Sequence, residues 1–302
     1  MNYSSLIQDI KAALPGVELR EGESLSRHSS LRIGGAAALM ALPADSDEIE
    51  ALCALLAEKG EKPFVLGNGT NILFPDGGLE RVVIKTARCA AVSAAGTEVT
   101  AECGASLART ATAALSAGLT GLEFAHGIPG SVGGGAVMNA GAYGGELGAV
   151  LTETEYLDEN LCRRTLRGAE HEFSYRHSFF SGHPGVILRC VFSLAPGNGE
   201  EISAKMRELS EKRRASQPLD MPSAGSDFKR PAEGYAAAMI DEAGLKGFSV
   251  GGAQVSEKHA GFIVNTGGAT CADVLRLIEH IQKTVFARFG VMLEPEIRVV
   301  RG

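Results

Sequence analysis

Between residues 127 and 146 the chain reads GIPGSVGGGAVMNAGAYGGE, eight glycines in twenty positions. Each glycine inside a helix or strand weakens it by roughly 0.5–1 kcal/mol relative to alanine, so a run this dense belongs where backbone bends sharply or is closely approached. A second glycine turn, GNG at 67–69, sits in VLGNGTNIL (65–73) after a strand-like run. It is not the dinucleotide fingerprint, because Ile72 stands where the third glycine would be and NILF reads as strand rather than helix. Consecutive amides in such turns can still form a nest for phosphate oxygens, with Asn68, Thr70 and Asn71 as side-chain donors. Two nests in one chain suit one long polyanionic ligand. The alternative for each is a tight turn packed against a neighbouring element.

A length of 302 residues exceeds one ordinary core and suggests two or three subdomains. The net charge of -7 disfavours nucleic acid as the main partner. The beginning, MNYSSLIQDIKAALPG, lacks a basic start followed by an apolar run, and no stretch approaches the length of an apolar membrane span. These features predict a cytoplasmic protein without a membrane partner. Cys53, Cys89, Cys103, Cys162, Cys190 and Cys271 are scattered with no C-x-x-C pair, as buried small hydrophobes in a reducing compartment would be.

Along the chain, 37–42 reads as a buried strand, and Asp45 with Glu48 has N-cap spacing ahead of a helical face of Ile49, Leu52, Cys53 and Leu56. With the strand 63–66, this predicts a right-handed strand, helix, strand unit over 37–66. Short β-like runs follow at 81–85, 90–94 and 98–103, then a small-residue helix over 106–117. Beyond the glycine stretch, strand-like runs recur at 150–158, 163–168, 171–176 and 185–194, so 86–200 reads as α+β. A polar helix over 200–216 leads into QPLDMPSAGSDFKRP (217–231), whose prolines and glycine forbid regular structure. The last helix, 272–289, has Thr270 as its cap, a stripe of Val274, Ile278, Ile281 and Val285, and Gly290 at its end. The closing 291–300 alternates like a strand, with Glu294, Glu296 and Arg298 on one face and Leu293, Ile297 and Val299 on the other. His171, His177 and His183 recur every six residues, but Gly182 and Pro184 interrupt any continuous strand that would align them as metal ligands. EKRRA (211–215), with acidic neighbours at helical spacing, is a solvated face rather than a nucleic-acid patch.

Six segments, HSSLRIGG (28–35), VLGNGTNIL, GLEFAHGIPGSVGGGAVMNAGAYGGE (121–146), FSYRHSFF (173–180), QPLDMPSAGSDFKRP and LEPEIR (293–298), together resemble, in that order, the UDP-N-acetylenolpyruvoylglucosamine reductase family, also called the MurB family. The matches span nearly the whole chain. The resemblance implies an α+β flavoprotein: two FAD-binding α+β subdomains of the PCMH-type flavoprotein fold and a smaller α/β substrate-binding subdomain. The expected division is 1–85, completed by a C-terminal strand over 291–302, then 86–213, then 214–290. FAD would be held noncovalently, NADPH would be the co-substrate, and the chain would act as a monomer on a UDP-linked enolpyruvyl sugar. No metal is implied. Only 50 residues separate Arg176 from Ser226, so the chain resembles the short-loop branch that lacks a tyrosine-bearing lid.

By the same resemblance, Gly67, Asn68, Gly69, Thr70 and Asn71 bind the FAD diphosphate, and Gly127, Ile128, Pro129, Gly130 and Ser131 line the flavin. Arg32, Gly133, Asn139, Ala140 and Gly141 complete the cofactor contacts. Reduction of an enolpyruvyl ether needs a hydride at the vinyl carbon and a proton at the carbon bearing the carboxylate, with negative charge developing between. The resemblance assigns the catalytic roles to Arg176, Ser226 as proton donor, and Glu296. Tyr175, Gln217, Lys229 and Arg230 become substrate-binding candidates. On residues alone, Ser226 reads as a turn serine, since Ala224 breaks the G-x-S-x-G pattern, and Glu294 competes with Glu296 on spacing. Two further readings are a flavin oxidase or dehydrogenase of the same broad fold, with flavin attached through His126 or His28, and a nucleotide-sugar binder without chemistry.

Overall fold

The computed structural model describes residues 3–301. Its described residues form two compact units: 3–21, 38–68 and 81–212 make the first, and 22–37, 69–80 and 213–301 the second. Each has its own buried apolar cluster, one running from Leu6 to Leu209 and the other from Leu31 to Ile297. Helices and mostly antiparallel sheets occur in both, as an α+β chain should show. No described helix is long and apolar enough to cross a membrane.

The first unit holds most of the two largest sheets. One has the strand order Glu18–Ser24, Ala36–Leu42, Leu79–Lys85, Phe64–Leu66, the last pair parallel with Leu66 opposite Lys85. Ala36–Leu42 and Phe64–Leu66 therefore share a sheet across the helix Ser46–Glu58, with Leu79–Lys85 between them. Asp45 caps that helix by accepting from the Glu48 N–H at 2.8 Å, and its buried stripe is Ile49, Leu52, Cys53 and Leu56. The other sheet runs Arg163–Arg167, Leu151–Leu157, Val186–Ser193, Glu98–Glu102, Val92–Ala95, antiparallel throughout.

In the second unit the helix Cys271–Phe289 begins at a reciprocal Thr270–Asp273 capping box and ends at Gly290, whose φ of 72° is left-handed. A three-stranded antiparallel sheet, Ser249–Val250, Ala253–Val255 and Ile263–Asn265, belongs to the same unit. Val274, Leu277, Ile278, Ile281 and Val285 of the helix enter the core.

Two strand expectations need correction. The run 171–176 is not a strand: Gly168–His171 is a 3-10 turn, and Glu172 and Arg176 have φ of 51° and 54°. Tertiary partners replace the ladder there. The His171 ring meets the Thr154 hydroxyl at 2.9 Å, and the Ser174 carbonyl accepts from the Asn139 side chain at 3.0 Å. In 291–300 only Arg298–Val299 is a strand, parallel to Ile72–Leu73, because Pro295 has no N–H to continue a ladder. Leu293 and Ile297 are buried as the alternation predicts, but Val299 is 40% exposed. The helix Tyr3–Ala13 and the strand Glu18–Ser24 precede the first segment assigned from sequence.

Candidate active site

The first unit brings its two glycine stretches into contact. A Cβ on Gly67 would lie 2.2 Å from Ser131 Oγ, and the Asn68 side-chain amide reaches the Pro129 carbonyl at 3.4 Å. Ser131 is fixed by its position: its hydroxyl accepts the Gly134 N–H as cap of the short helix Val132–Val137. That helix tolerates glycine because it packs tightly, a Cβ on Gly133 falling 3.0 Å from Cys103 and one on Gly135 3.0 Å from Leu147. Some of the glycine density thus serves packing against protein. Among the described residues, no acceptor pairs with the backbone N–H groups of Asn68, Gly130 and Ser131, leaving donors around one spot. Gly127 and Ile128 are half-buried, and Ile128 packs against the core.

Asn139 links this region to the arginine loop. It is fully buried and left-handed at φ 43°; its side chain donates to the Ser174 carbonyl at 3.0 Å and accepts the Gly148 N–H at 2.8 Å. Arg176 donates to the Gly141 carbonyl at 3.3 Å, and its guanidinium carbon lies 5.0 Å from the Tyr175 ring centre. Gly141 opens a ribbon in which both central residues, Tyr143 and Gly144, have positive φ, as a tight type I′ turn requires. Ala140 packs against the core, and its backbone accepts from the Leu147 N–H and donates to the Gly135 carbonyl. A non-glycine residue such as Arg176 in left-handed backbone is a strained arrangement of the kind that concentrates at functional sites. His171, His177 and His183 are not aligned: the first is buried on Thr154, the second meets the Glu172 carbonyl, and the third stacks on Phe179.

In the second unit four of the sequence segments are knitted together. Ser30 donates its N–H to the Gly69 carbonyl at 3.0 Å and its hydroxyl to the Ser223 carbonyl at 2.6 Å. A Cβ on Gly69 would fall 2.0 Å from the His28 carbonyl oxygen, so this position admits only glycine. Asn71 donates to the Glu296 carbonyl at 3.1 Å and its own carbonyl accepts from Arg298. Glu296 in turn donates its N–H to the Asp227 carbonyl at 2.7 Å, and Phe228 bridges Pro295. The Ser226 hydroxyl, half-buried, lies 3.2 Å from the Phe228 carbonyl. Arg32 is exposed with φ 57°, and Thr70 is half-buried beside Gly69.

The substrate-binding candidates fall out unevenly. Lys229 is ion-paired to the exposed Glu294 at 2.5 Å, which engages the carboxylate that competed with Glu296. The Arg230 guanidinium lies 4.1 Å from the Tyr235 ring centre. Among the described residues, no hydrogen-bond partner meets the buried Gln217 Oε1, Ser29 Oγ or Asp227 Oδ1. Buried polar atoms are nearly always paired in folded proteins, so such orphans mark places where a ligand can complete the bonding.

Two residues were missed by sequence reasoning. Asp227 is fully buried; its Oδ2 accepts the Ile263 N–H at 2.5 Å, and burial, with Glu296 nearby, pushes its carboxyl up to about 8. Lys85 is 7% exposed and donates to the Gly67 carbonyl, and burial pushes its ammonium down to about 8. A lysine ending the apolar run VVIK was the one readable signal for the second. For Asp227 there was none.

Comparison with known proteins decides the family. A model of the FAD binding domain family matches residues 37–160, and one described as UDP-N-acetylenolpyruvoylglucosamine reductase, C-terminal domain, matches 217–300. The UDP-N-acetylenolpyruvoylglucosamine reductase of Caldanaerobacter subterraneus subsp. tengcongensis is 50% identical over 295 residues, covering 98% of each chain. This chain belongs to the UDP-N-acetylenolpyruvoylglucosamine reductase family. The Lactiplantibacillus plantarum member is 43% identical over 98% of both chains. The crystal structure of the Thermus caldophilus member superposes with a TM-score of 0.80 at 32% identity, covering 94% of this chain and 99% of that one. As a family member the chain is an enzyme, an FAD-dependent oxidoreductase with the PCMH-type fold. The FAD-domain match includes both glycine stretches but neither Arg32 nor Arg176, while the C-terminal match includes Gln217, Ser226, Lys229, Arg230 and Glu296.

Proposed function

We propose that this reductase-family chain uses noncovalently held FAD and NADPH to reduce the enolpyruvyl group of UDP-N-acetylglucosamine enolpyruvate, giving UDP-N-acetylmuramate. The observation that carries the reading is the 2.7 Å rung from the Glu296 N–H to the Asp227 carbonyl, which ties the segment bearing Ser226 to the segment bearing Glu296. The segment that carries the hydroxyl and the segment that carries the carboxyl are thereby hydrogen-bonded to each other.

The donor set fits FAD. The amides of Asn68, Gly130 and Ser131, without acceptors among the described residues and beside a buried lysine, suit a diphosphate. Held by the backbone of 67–71 and 127–131, FAD would supply the hydride chemistry, with NADPH as the source of electrons. The remaining steps belong to side chains. Ser226 gives a proton to the carbon bearing the carboxylate, so that hydride and proton together turn the vinyl ether into a lactyl ether. Arg176 offers a permanent forked charge to that carboxylate, countering the negative charge that builds before the proton arrives. Glu296 would support the same enolate-like state as a neutral carboxyl that donates a hydrogen bond to it. Glu294 is exposed and paired with Lys229, whereas Glu296 is half-buried. A cytoplasmic reaction is part of this reading, since a UDP-linked substrate suits that compartment.

The test is product analysis. Purified protein with FAD, NADPH and the enolpyruvyl sugar should consume one NADPH per product, and the product should carry two more hydrogens than the substrate. NADPH consumption without that product would reject the substrate assignment.

A further inference from the structure

Lys85 ends the strand Leu79–Lys85 at the level where its parallel neighbour Phe64–Leu66 runs into the Gly67–Asn68 turn. Ligands of sheets with parallel strands gather at such carboxyl ends. The lysine is buried, and among the described residues no carboxylate is paired with it. Burial is the sole cause of its depressed pKa; no neighbouring charge contributes. A buried ammonium without a counter-ion is costly, and folded proteins normally supply a partner.

Its hydrogen bond indicates which partner. Lys85 Nζ donates to the Gly67 carbonyl oxygen. That oxygen and the Asn68 N–H belong to one peptide group, and the Asn68 N–H has no acceptor among the described residues. The neighbouring peptide is held the same way, Thr86 Oγ1 donating to the Leu66 carbonyl at 3.4 Å. A cation on the carbonyl side of a peptide polarises it and strengthens its N–H as a donor. In a chain of net charge -7, a dianionic ligand also needs a local positive charge.

We propose that Lys85 is a positioning residue for the FAD diphosphate: it supplies the buried counter-charge and acts through the Gly67–Asn68 peptide. This rests on the reading that the diphosphate occupies the glycine turn. The alternative is a lysine that holds the turn's shape by its hydrogen bond alone.

The experiment is FAD binding by flavin fluorescence to FAD-stripped wild type, Lys85→Met and Lys85→Gln, each over a range of salt, with the unfolding temperature of each FAD-free protein. The glutamine can still donate to the Gly67 carbonyl but carries no charge. The expected result is that both variants bind FAD at least about tenfold more weakly, with a shallower salt dependence, and melt no lower than wild type when FAD-free. Wild-type affinity in Lys85→Gln, or an unchanged salt dependence, would show that the charge is not used. Weak binding matched by a large loss of FAD-free stability would assign the lysine to structure. A wild type that takes up no FAD would instead overturn the cofactor reading itself.

Discussion

Gly67 and Ser131 are pressed together so closely that a methyl group on Gly67 would sit 2.2 Å from the Ser131 hydroxyl oxygen. The next nearest Ser131 atom, its Cβ, would be at an ordinary 3.4 Å. Gly67→Ala should therefore destabilise by about 1–3 kcal/mol. Ser131→Ala alone should cost about 1 kcal/mol through the lost helix cap. The double variant should be more stable than the sum by about 1 kcal/mol or more, because the second change removes the clashing oxygen. Urea unfolding of the four proteins checks this; strict additivity would mean that the two loops are not in contact.

Asn139 satisfies two separate backbone groups from a fully buried position in left-handed backbone, where asparagine is tolerated better than alanine. Asn139→Ala should cost about 2–4 kcal/mol, leaving the Gly148 N–H and the Ser174 carbonyl without their partner. It should also loosen the Arg176 loop, so hydrogen exchange of residues 173–178 should speed up more than that of the five-stranded sheet.

Arg176→Lys keeps a charge but loses the fork that can grip a carboxylate at two points. Rapid mixing should show flavin reduction by NADPH nearly unchanged and reoxidation by the enolpyruvyl sugar slowed by about ten- to a hundredfold, with unfolding temperature little altered. Equal slowing of both half-reactions would count against a role at the substrate carboxylate.

Asp227 makes a pH prediction. Its folded carboxyl lies at about 8 against an ordinary 3.8, so between those values the folded chain holds a proton that the unfolded chain has released. The stability it contributes is full below about pH 4 and is lost as pH rises through about 8. Asp227→Asn, which keeps an acceptor for the Ile263 N–H, cannot titrate. The unfolding temperature of wild type minus that of the variant should be highest in acid and fall steadily towards pH 8; a flat difference would contradict a buried neutral carboxyl.

What could be read from sequence was whatever rests on local signals. Asp45, Thr270 and Gly290 announced their helix ends because caps are written within a few residues. The two glycine stretches pointed to close backbone approach, and Gly67 against Ser131 shows such an approach within the first unit. The segment 171–176 misled because its residues suit a strand, while the bonds that bend it come from Thr154 and Asn139. Asp227 and Lys85 were invisible as site residues for a related reason. An aspartate in a turn and a lysine at a strand end look like surface, and only burial reveals them as charges needing explanation. Family membership, by contrast, was legible because six segments kept their order along the chain.

The central claim is that Ser226 gives the proton in a flavin-dependent reduction, and the most direct test is an anaerobic trace of the visible flavin band for wild type and Ser226→Ala. With wild type, NADPH should bleach the band and the enolpyruvyl sugar should restore it. With Ser226→Ala, bleaching should be nearly normal and recovery slower by about a hundredfold or more. Normal recovery in the variant would remove Ser226 from the proton transfer, and a wild type that bleaches but never recovers would contradict the assigned substrate.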